Sequence, residues 1–219
     1  MMATRIYVPC DTTALSMGAD DVARLIEHHA RVQGVAIELV RNGSRGLFWL
    51  EPMVEVETAS GRIGYGPVEP DDVQGLVEAG LFDGASGHPL FLGPVADIPY
   101  LKRQQRLTFS RIGITDPLSI TDYRDHGGFD GLETAISVEP QGIVDEVKAS
   151  GLRGRGGAAF PTGIKWQTVH DEPWQQQKYV VCNADEGDSG TFADRLAMER
   201  DPYMLIEGMT IAGLAVGAT

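Results

Sequence analysis

The chain has 219 residues, 42% of them apolar and 22% charged, enough for one large domain or two small ones around a buried core. Its 31 acids against 18 bases leave a formal charge of −13, and such a surface repels nucleic acid and anionic lipid, which counts against both as partners. No apolar run approaches the roughly 18 residues of a membrane-crossing helix, and Met1 to Asp20 lacks the order of a signal peptide. Two cysteines, Cys10 and Cys182, are too few for a disulfide framework or for an iron–sulfur cluster held within the chain, so a reducing cytoplasm fits best.

Ile6 to Val8 is a short strand candidate. Asp20 is positioned to cap a helix with Val22, Leu25, Ile26, His29 and Val32 on one face, and Gly34 ends it. Val35, Ile37 and Leu39 alternate as a strand does, and Leu47 to Trp49 and Val54 to Val56 supply two more. Asp71 or Asp72 then opens a second helix through Val73, Leu76 and Val77, closed by Gly80. The order β-α-β-β-β-α predicts a small α/β sandwich. Residues 83–103, rich in Gly, Pro and His, read as a linker, and the chain changes character from about Gln104.

Asp116-Pro117 and His126-Gly127-Gly128 are turns. Pro140 starts a helix carrying Ile143, Val144 and Val147 that stops at Ser150-Gly151. Lys178 to Cys182 reads as a short apolar strand, with Cys182 as a small buried hydrophobe. Asp201-Pro202 caps a helix from Tyr203 to Gly217 that reads as buried and rich in small residues.

Two segments carry the chemistry. Gly151 to Trp166 is a glycine-rich loop with its own cations Arg153, Arg155 and Lys165; Asn183 to Thr191 holds the acids Asp185, Glu186 and Asp188 beside an amide. The loop fails the Rossmann fingerprint, because position 159 is alanine and a helix precedes it, and it fails the P-loop, because no hydroxyl follows Lys165. Gly154, Gly156 and Gly157 allow backbone N–H groups close to a phosphate, Arg153, Arg155 and Lys165 are placed to neutralise it, and Phe160 offers a face for stacking. The acids need donors, which ribityl hydroxyls and flavin N–H groups would supply. A calcium loop or a solvated acidic turn is the alternative, although EF-hand spacing is missing. His28 and His29 point about 100° apart on their helix and do not share a metal. No metal site and no catalytic side chain are assigned.

With those residues in view, the chain resembles the flavin-bearing, NADH-oxidising 51-kilodalton subunit family of complex I-like enzymes. The resemblance runs from Asp116-Pro117 through Tyr123, His126 to Phe129, Ser150 to Trp166, Tyr179 to Arg195, and Ile206 to Thr219. It implies that the loop from Gly154 to Gly163 holds NADH over FMN, with Phe160 on the adenine side and Lys165 on phosphate. Asn183, Asp185 and Glu186 would hold the flavin, and Asp188 would lie near the nicotinamide. Hydride would pass between NAD and FMN without a side-chain acid or base.

Where the family commonly has Glu-Gly-Glu-Pro-Gly, this chain has Glu186-Gly187-Asp188-Ser189-Gly190, which resembles the beta subunit of NAD-dependent formate dehydrogenase; Ala159 replaces a usual glycine. The partners implied are a molybdenum-bearing alpha subunit and a thioredoxin-like gamma subunit with a 2Fe–2S cluster. A 4Fe–4S cluster is expected only beyond Thr219. The N-terminal region resembles a thioredoxin-like ferredoxin domain that keeps Cys10 and lacks the other cluster ligands. The expected division is residues 1–88 thioredoxin-like, 89–115 linker, and 116–219 the first part of an FMN-binding α/β domain, Rossmann-like without its fingerprint.

Overall fold

The computed structural model describes residues 3–173 and 177–218. Thr219, the end of the expected flavin-domain portion, lies outside the described residues. The chain forms two units, Met1–Asp122 with Arg195–Asp201, and Tyr123–Asp194 with Pro202–Thr219.

In the first unit, β1 (Thr4–Tyr7) leads to a short α1 (Thr12–Ser16), whose Ala14 N–H donates to Asp11 Oδ1. The following α2 (Ala19–Gln33) starts at Gly18, with φ +92°, and stops at Gly34, with φ +68°. Asp20 is therefore not the cap expected. The left-handed entry suits glycine, and Asp20 sits inside the first turn, where an acid still favours the helix dipole, paired to Arg41 Nη2 at 2.7 Å. β2 (Ile37–Val40) runs parallel to β1 with Ile6 opposite Leu39.

Leu47 to Trp49 is not a strand. Leu47 is fully buried with Met53, Val95 and Ile98, Phe48–Leu50 coils into a single 3-10 turn, and Pro52 just beyond has no N–H for a ladder. The third strand of the hairpin region is instead β4 (Gly61–Tyr65), antiparallel to β3 (Val54–Thr58). Then α3 (Val73–Glu78) covers the sheet, and β5 (Phe91–Pro94) adds the edge, giving the order β2-β1-β3-β4-β5 among the described residues. The segment read as a linker thus supplies an edge strand, followed by α4 (Pro99–Lys102).

A parallel β1-α2-β2 crossover followed by an antiparallel β3-β4 pair and α3 is the thioredoxin-like arrangement expected. Its core joins Ile6, Val8, Val22, Ile26, Val54, Val56 and Leu76. The chain as a whole is mixed α/β, with its sheet in this unit. Cys10 is half-buried, its thiol donates to Arg41 O at 3.4 Å, and burial pushes its pKa up, the opposite of what a thiolate ligand needs.

From Ile120 the elements among the described residues are helices: α5 (Ile120–Asp125), α6 (Asp130–Ile136), α7 (Pro140–Ala149), α8 (Thr162–Asp171), α9 (Ala193–Arg200) and α10 (Pro202–Val216). Ala135, Ile143, Val144, Ala215 and Val216 close a small core against Trp166 and Ile211. Lys178 to Cys182 forms no strand among the described residues. Tyr179 is 75% exposed, Val181 82%, and Cys182 is exposed too, because a strand needs a neighbouring backbone and none of the described backbone pairs with it. Helix α10 is likewise only partly covered, with Ile206 56% exposed; the burial expected of it extends to Glu207, Ala215 and Val216.

Candidate functional site

The glycine loop is pinched at its neck. Beyond α7, Gly151 turns the chain with φ +69°. Gly154 N–H then donates to Phe160 O at 2.9 Å and Thr162 N–H to Leu152 O at 2.9 Å, so Arg153 and Pro161 form an antiparallel bridge. Arg153 Nη1 donates across the loop to Ala159 O at 3.1 Å. This arginine, read from sequence as a phosphate cation, is turned to hold the loop together.

At the tip, Gly157 has φ +96° and Ala159 has φ +49°. Alanine in the left-handed region costs about 1–2 kcal/mol, which is where a glycine would be unstrained. Among the described residues, the N–H groups from Arg155 to Phe160 donate to no protein acceptor, and a side chain added at Gly156 or Gly157 would meet nothing within 4 Å. An exposed run of open amides around left-handed residues has the geometry of the backbone nests that accept anions.

Two further features face the same ligand chemistry. Phe160 is 47% exposed, and Lys165 Nζ stands 5.8 Å from the centroid of its ring. A Cβ at Gly154 would come within 3.5 Å of that ammonium. Helix α8 begins directly after the neck with Pro161 at its N-cap and no side-chain acceptor there, so its positive end adds to the field of Arg155 and Lys165. From sequence the loop follows a helix; in the structure it precedes one as well. Gly163 belongs elsewhere. It is buried in the first turn of α8, where a Cβ would fall 2.8 Å from Lys148 Cα, so its role is to let α8 touch the backbone of α7.

The acid segment is a second, separate turn. Asp185 N–H donates to Asn183 Oδ1 at 3.1 Å, Glu186 has φ +46° and accepts from Asp194 N–H at 2.9 Å, and Thr191 N–H donates to Asp188 O at 3.3 Å. Asp185 and Asp188 point into solvent, Glu186 is half-buried, and no group of three metal-ligating side chains forms among the described residues. Gly154, Arg155, Gly156, Gly157 and Phe160 thus share one loop, with Lys165 on the first turn of the helix that follows it; Asn183, Asp185, Glu186 and Asp188 lie in one turn segment.

Glu207 was not foreseen. It is 8% exposed in the middle of α10, accepts from Tyr123 Oη at 2.5 Å and from Phe129 N–H at 2.8 Å, and takes Leu132 N–H at 3.0 Å. A carboxylate on the buried side of an otherwise apolar helix is its only sequence signal. It fixes the turn His126 to Phe129, where Gly128 leaves room for the Tyr123 ring: a Cβ there would lie 2.1 Å from Tyr123 Cδ1.

Residues 147–219 match the family model of the Nuo51 FMN-binding domain. The HndC subunit of an NADP-reducing hydrogenase from Solidesulfovibrio fructosivorans is 50% identical over 118 residues, which is 54% of this chain and 24% of that protein. A subunit of the NADH-quinone oxidoreductase from Aquifex aeolicus is 50% identical over 100 residues, 46% of this chain and 23% of the other. Its counterpart from Escherichia coli is 43% identical over 103 residues, 47% and 23% of the two chains. The chain spans about a quarter of the length of these relatives. Among solved structures, a chain of an NAD+-reducing [NiFe]-hydrogenase covers 98% of this chain and 36% of its own at a TM-score of 0.40 and 20% identity. The thioredoxin-like [2Fe-2S] ferredoxin from Aquifex aeolicus covers 42% of this chain and 99% of its own at 0.35 and 18%.

Proposed function

We propose that the chain is part of a diaphorase subunit, on the match of residues 147–219 to the Nuo51 FMN-binding domain model. It passes hydride between NAD and FMN within a multi-subunit oxidoreductase. The observation that carries the reading is the loop of open amides between Arg155 and Phe160, bounded by Lys165 and the start of α8. Bound FMN would supply the ring that exchanges hydride with the nicotinamide. The chain's own residues bind and orient. The loop amides, Arg155 and Lys165 take the phosphates, Phe160 stacks on the adenine side, and Asn183, Asp185 and Glu186 accept from ribityl hydroxyls and ring N–H groups. Asp188 would lie near the nicotinamide. No side chain is asked to move a proton, so the protein's contribution is orientation and electrostatics.

For the complex, we read the Asp188-Ser189 variant as that of a cytoplasmic formate dehydrogenase. Its partners would be a molybdenum-bearing alpha subunit and a 2Fe–2S gamma subunit, and a 4Fe–4S cluster would lie in the same subunit outside these residues. The similarity to a hydrogenase subunit favours a second reading, in which the electron donor is hydrogen. Purification of the native complex separates them: reduction of NAD by formate, and not by hydrogen, supports the first.

The diaphorase reading itself is tested by reconstituting the complete protein with FMN and following NADH:ferricyanide activity. Lys165→Ala is expected to raise KM for NADH about tenfold, as loss of a charge-assisted contact does. Glu186→Gln is expected to weaken FMN retention. A protein that neither keeps flavin nor oxidises NADH would end this reading.

A further inference from the structure

We propose that the N-terminal unit carries a second anion site, for a small phosphate-bearing ligand, in the cavity between the β4-β5 edge of the sheet and the segment 94–114. The cavity measures about 510 Å³, and Arg45, Arg62, Lys102 and Arg106 line it together with Val95 and Leu101. Four cations around one cavity are conspicuous in a chain whose formal charge is −13.

Their counter-ions do not balance them. Glu55, 1% exposed, takes Arg45 Nε at 2.6 Å and Nη2 at 2.9 Å on its two oxygens and Arg62 Nη1 at 3.3 Å. Lys102 pairs with Asp97 at 2.8 Å on the exposed side. Arg106 has no carboxylate partner among the described residues. It donates to Arg45 O at 2.7 Å, to Gln104 Oε1 at 3.0 Å and to Ile112 O at 3.4 Å, bonds that orient the guanidinium and bring no countercharge. Burial, and then the nearby Arg45, push its pKa below the usual arginine range.

Clamping of the chain explains part of this arrangement. Arg62 donates to Gly113 O at 2.8 Å and to Ile114 O at 3.0 Å, which fixes that segment to the sheet. The clamp does not require a fourth cation without a carboxylate partner. Among the described residues, Arg45 Nη1 and Arg62 Nε have no protein acceptor, so donors are available beside Arg106. A phosphate suits the guanidinium forks with Lys102 as a mobile point charge. The volume matches small-ligand pockets, and the apolar wall of Val95 and Leu101 would take the body of an organic phosphate.

The test is calorimetric titration of the 219-residue chain with inorganic phosphate and with AMP, at constant ionic strength set by chloride. In a Lys165→Ala background, which weakens the glycine loop's own hold on phosphate, saturable binding is expected to remain and to be weakened further, about tenfold or more by Arg106→Gln and measurably by Lys102→Ala. Tighter binding of AMP than of phosphate identifies an organic phosphate as the ligand; equal binding identifies the free ion. If Arg106→Gln fails to fold by circular dichroism, Lys102→Ala decides, and an unchanged affinity there overturns the proposal. So does an effect that chloride reproduces, or binding lost in Lys165→Ala and kept in Arg106→Gln, which would assign the anion to the glycine loop.

Discussion

Glu51 is 2% exposed, and its Oε1 has no hydrogen-bond partner among the described residues. Burial first, and then the charge of Asp11, raise its pKa to about 7, against the opposing pull of Ser44, Met53 N–H and Arg200. Between pH 4.5, where the unfolded chain ionises this group, and about 7, the native state keeps a proton that the unfolded state has released. Native stability therefore falls as pH rises through that window, by roughly 3 kcal/mol, and is not regained above it. Urea unfolding of the wild type and of Glu51→Gln at pH 4.5 and pH 8 checks this: the variant should gain on the wild type at pH 8. Parallel pH profiles for the two proteins would remove the assignment. No sequence pattern announces this group. Glu51 precedes a proline in what reads as a loop, and only the packing of Leu47 and Met53 takes it out of water.

Among the elements, helices were more legible than strands. Gly34 and Pro140 mark ends through local backbone geometry, which a neighbour in sequence already decides. Strand β4 is hidden in the sequence because Gly61 and Gly64 interrupt its alternation, and the second of these is needed for fit: a Cβ at Gly64 would press to 3.3 Å from Val95 Cγ2. Lys178 to Cys182 has the composition of a strand, and composition alone does not supply the partner backbone. Gly163 shows the same limit within the candidate site. It reads as one more flexible glycine of the loop, whereas α7 and α8 meet on it. Gly163→Ala should cost about 1–3 kcal/mol by overpacking, while Gly156→Ala, facing open space, should stay within about 0.5 kcal/mol. Thermal unfolding of the two variants measures the contrast, and equal stabilities would contradict the helix contact.

Across the whole molecule, the chain leaves the first unit after Asp122 and comes back to it with Arg195–Asp201. The returning segment brings Arg200, whose Nη2 donates to Asp11 Oδ1 at 2.9 Å and whose Nη1 donates to Ser44 O at 2.9 Å; both charged side chains are almost fully buried. Gly43 is required beside it, since a Cβ there would lie 2.5 Å from Arg200 Cβ. Arg200→Met removes the cation that Asp11 pairs with in the interior, so a loss of about 3–5 kcal/mol is expected. Hydrogen exchange should show the loss in β1 and α2; protection unchanged from the wild type would mean that the pair contributes little. The N-terminal unit thus depends on residues that no domain boundary drawn at 88 or 115 would include.

The two motifs, the helix ends at Gly34 and Pro140 and the alternation of β2 could be read directly, because they rest on spacing, capping and backbone freedom between near neighbours. The anion site proposed at the glycine loop belongs to the same class, since its amides, glycines and cations lie within a dozen or so residues. What required the folded chain are the pairings across long separations: Arg200 with Asp11 over 189 residues, Glu207 with Tyr123 over 84, and β5 on β4. To these are added the cations gathered from positions 45 to 106 around one cavity. Charge compensation and burial are properties of surroundings, and the surroundings of a side chain exist only once distant segments have packed.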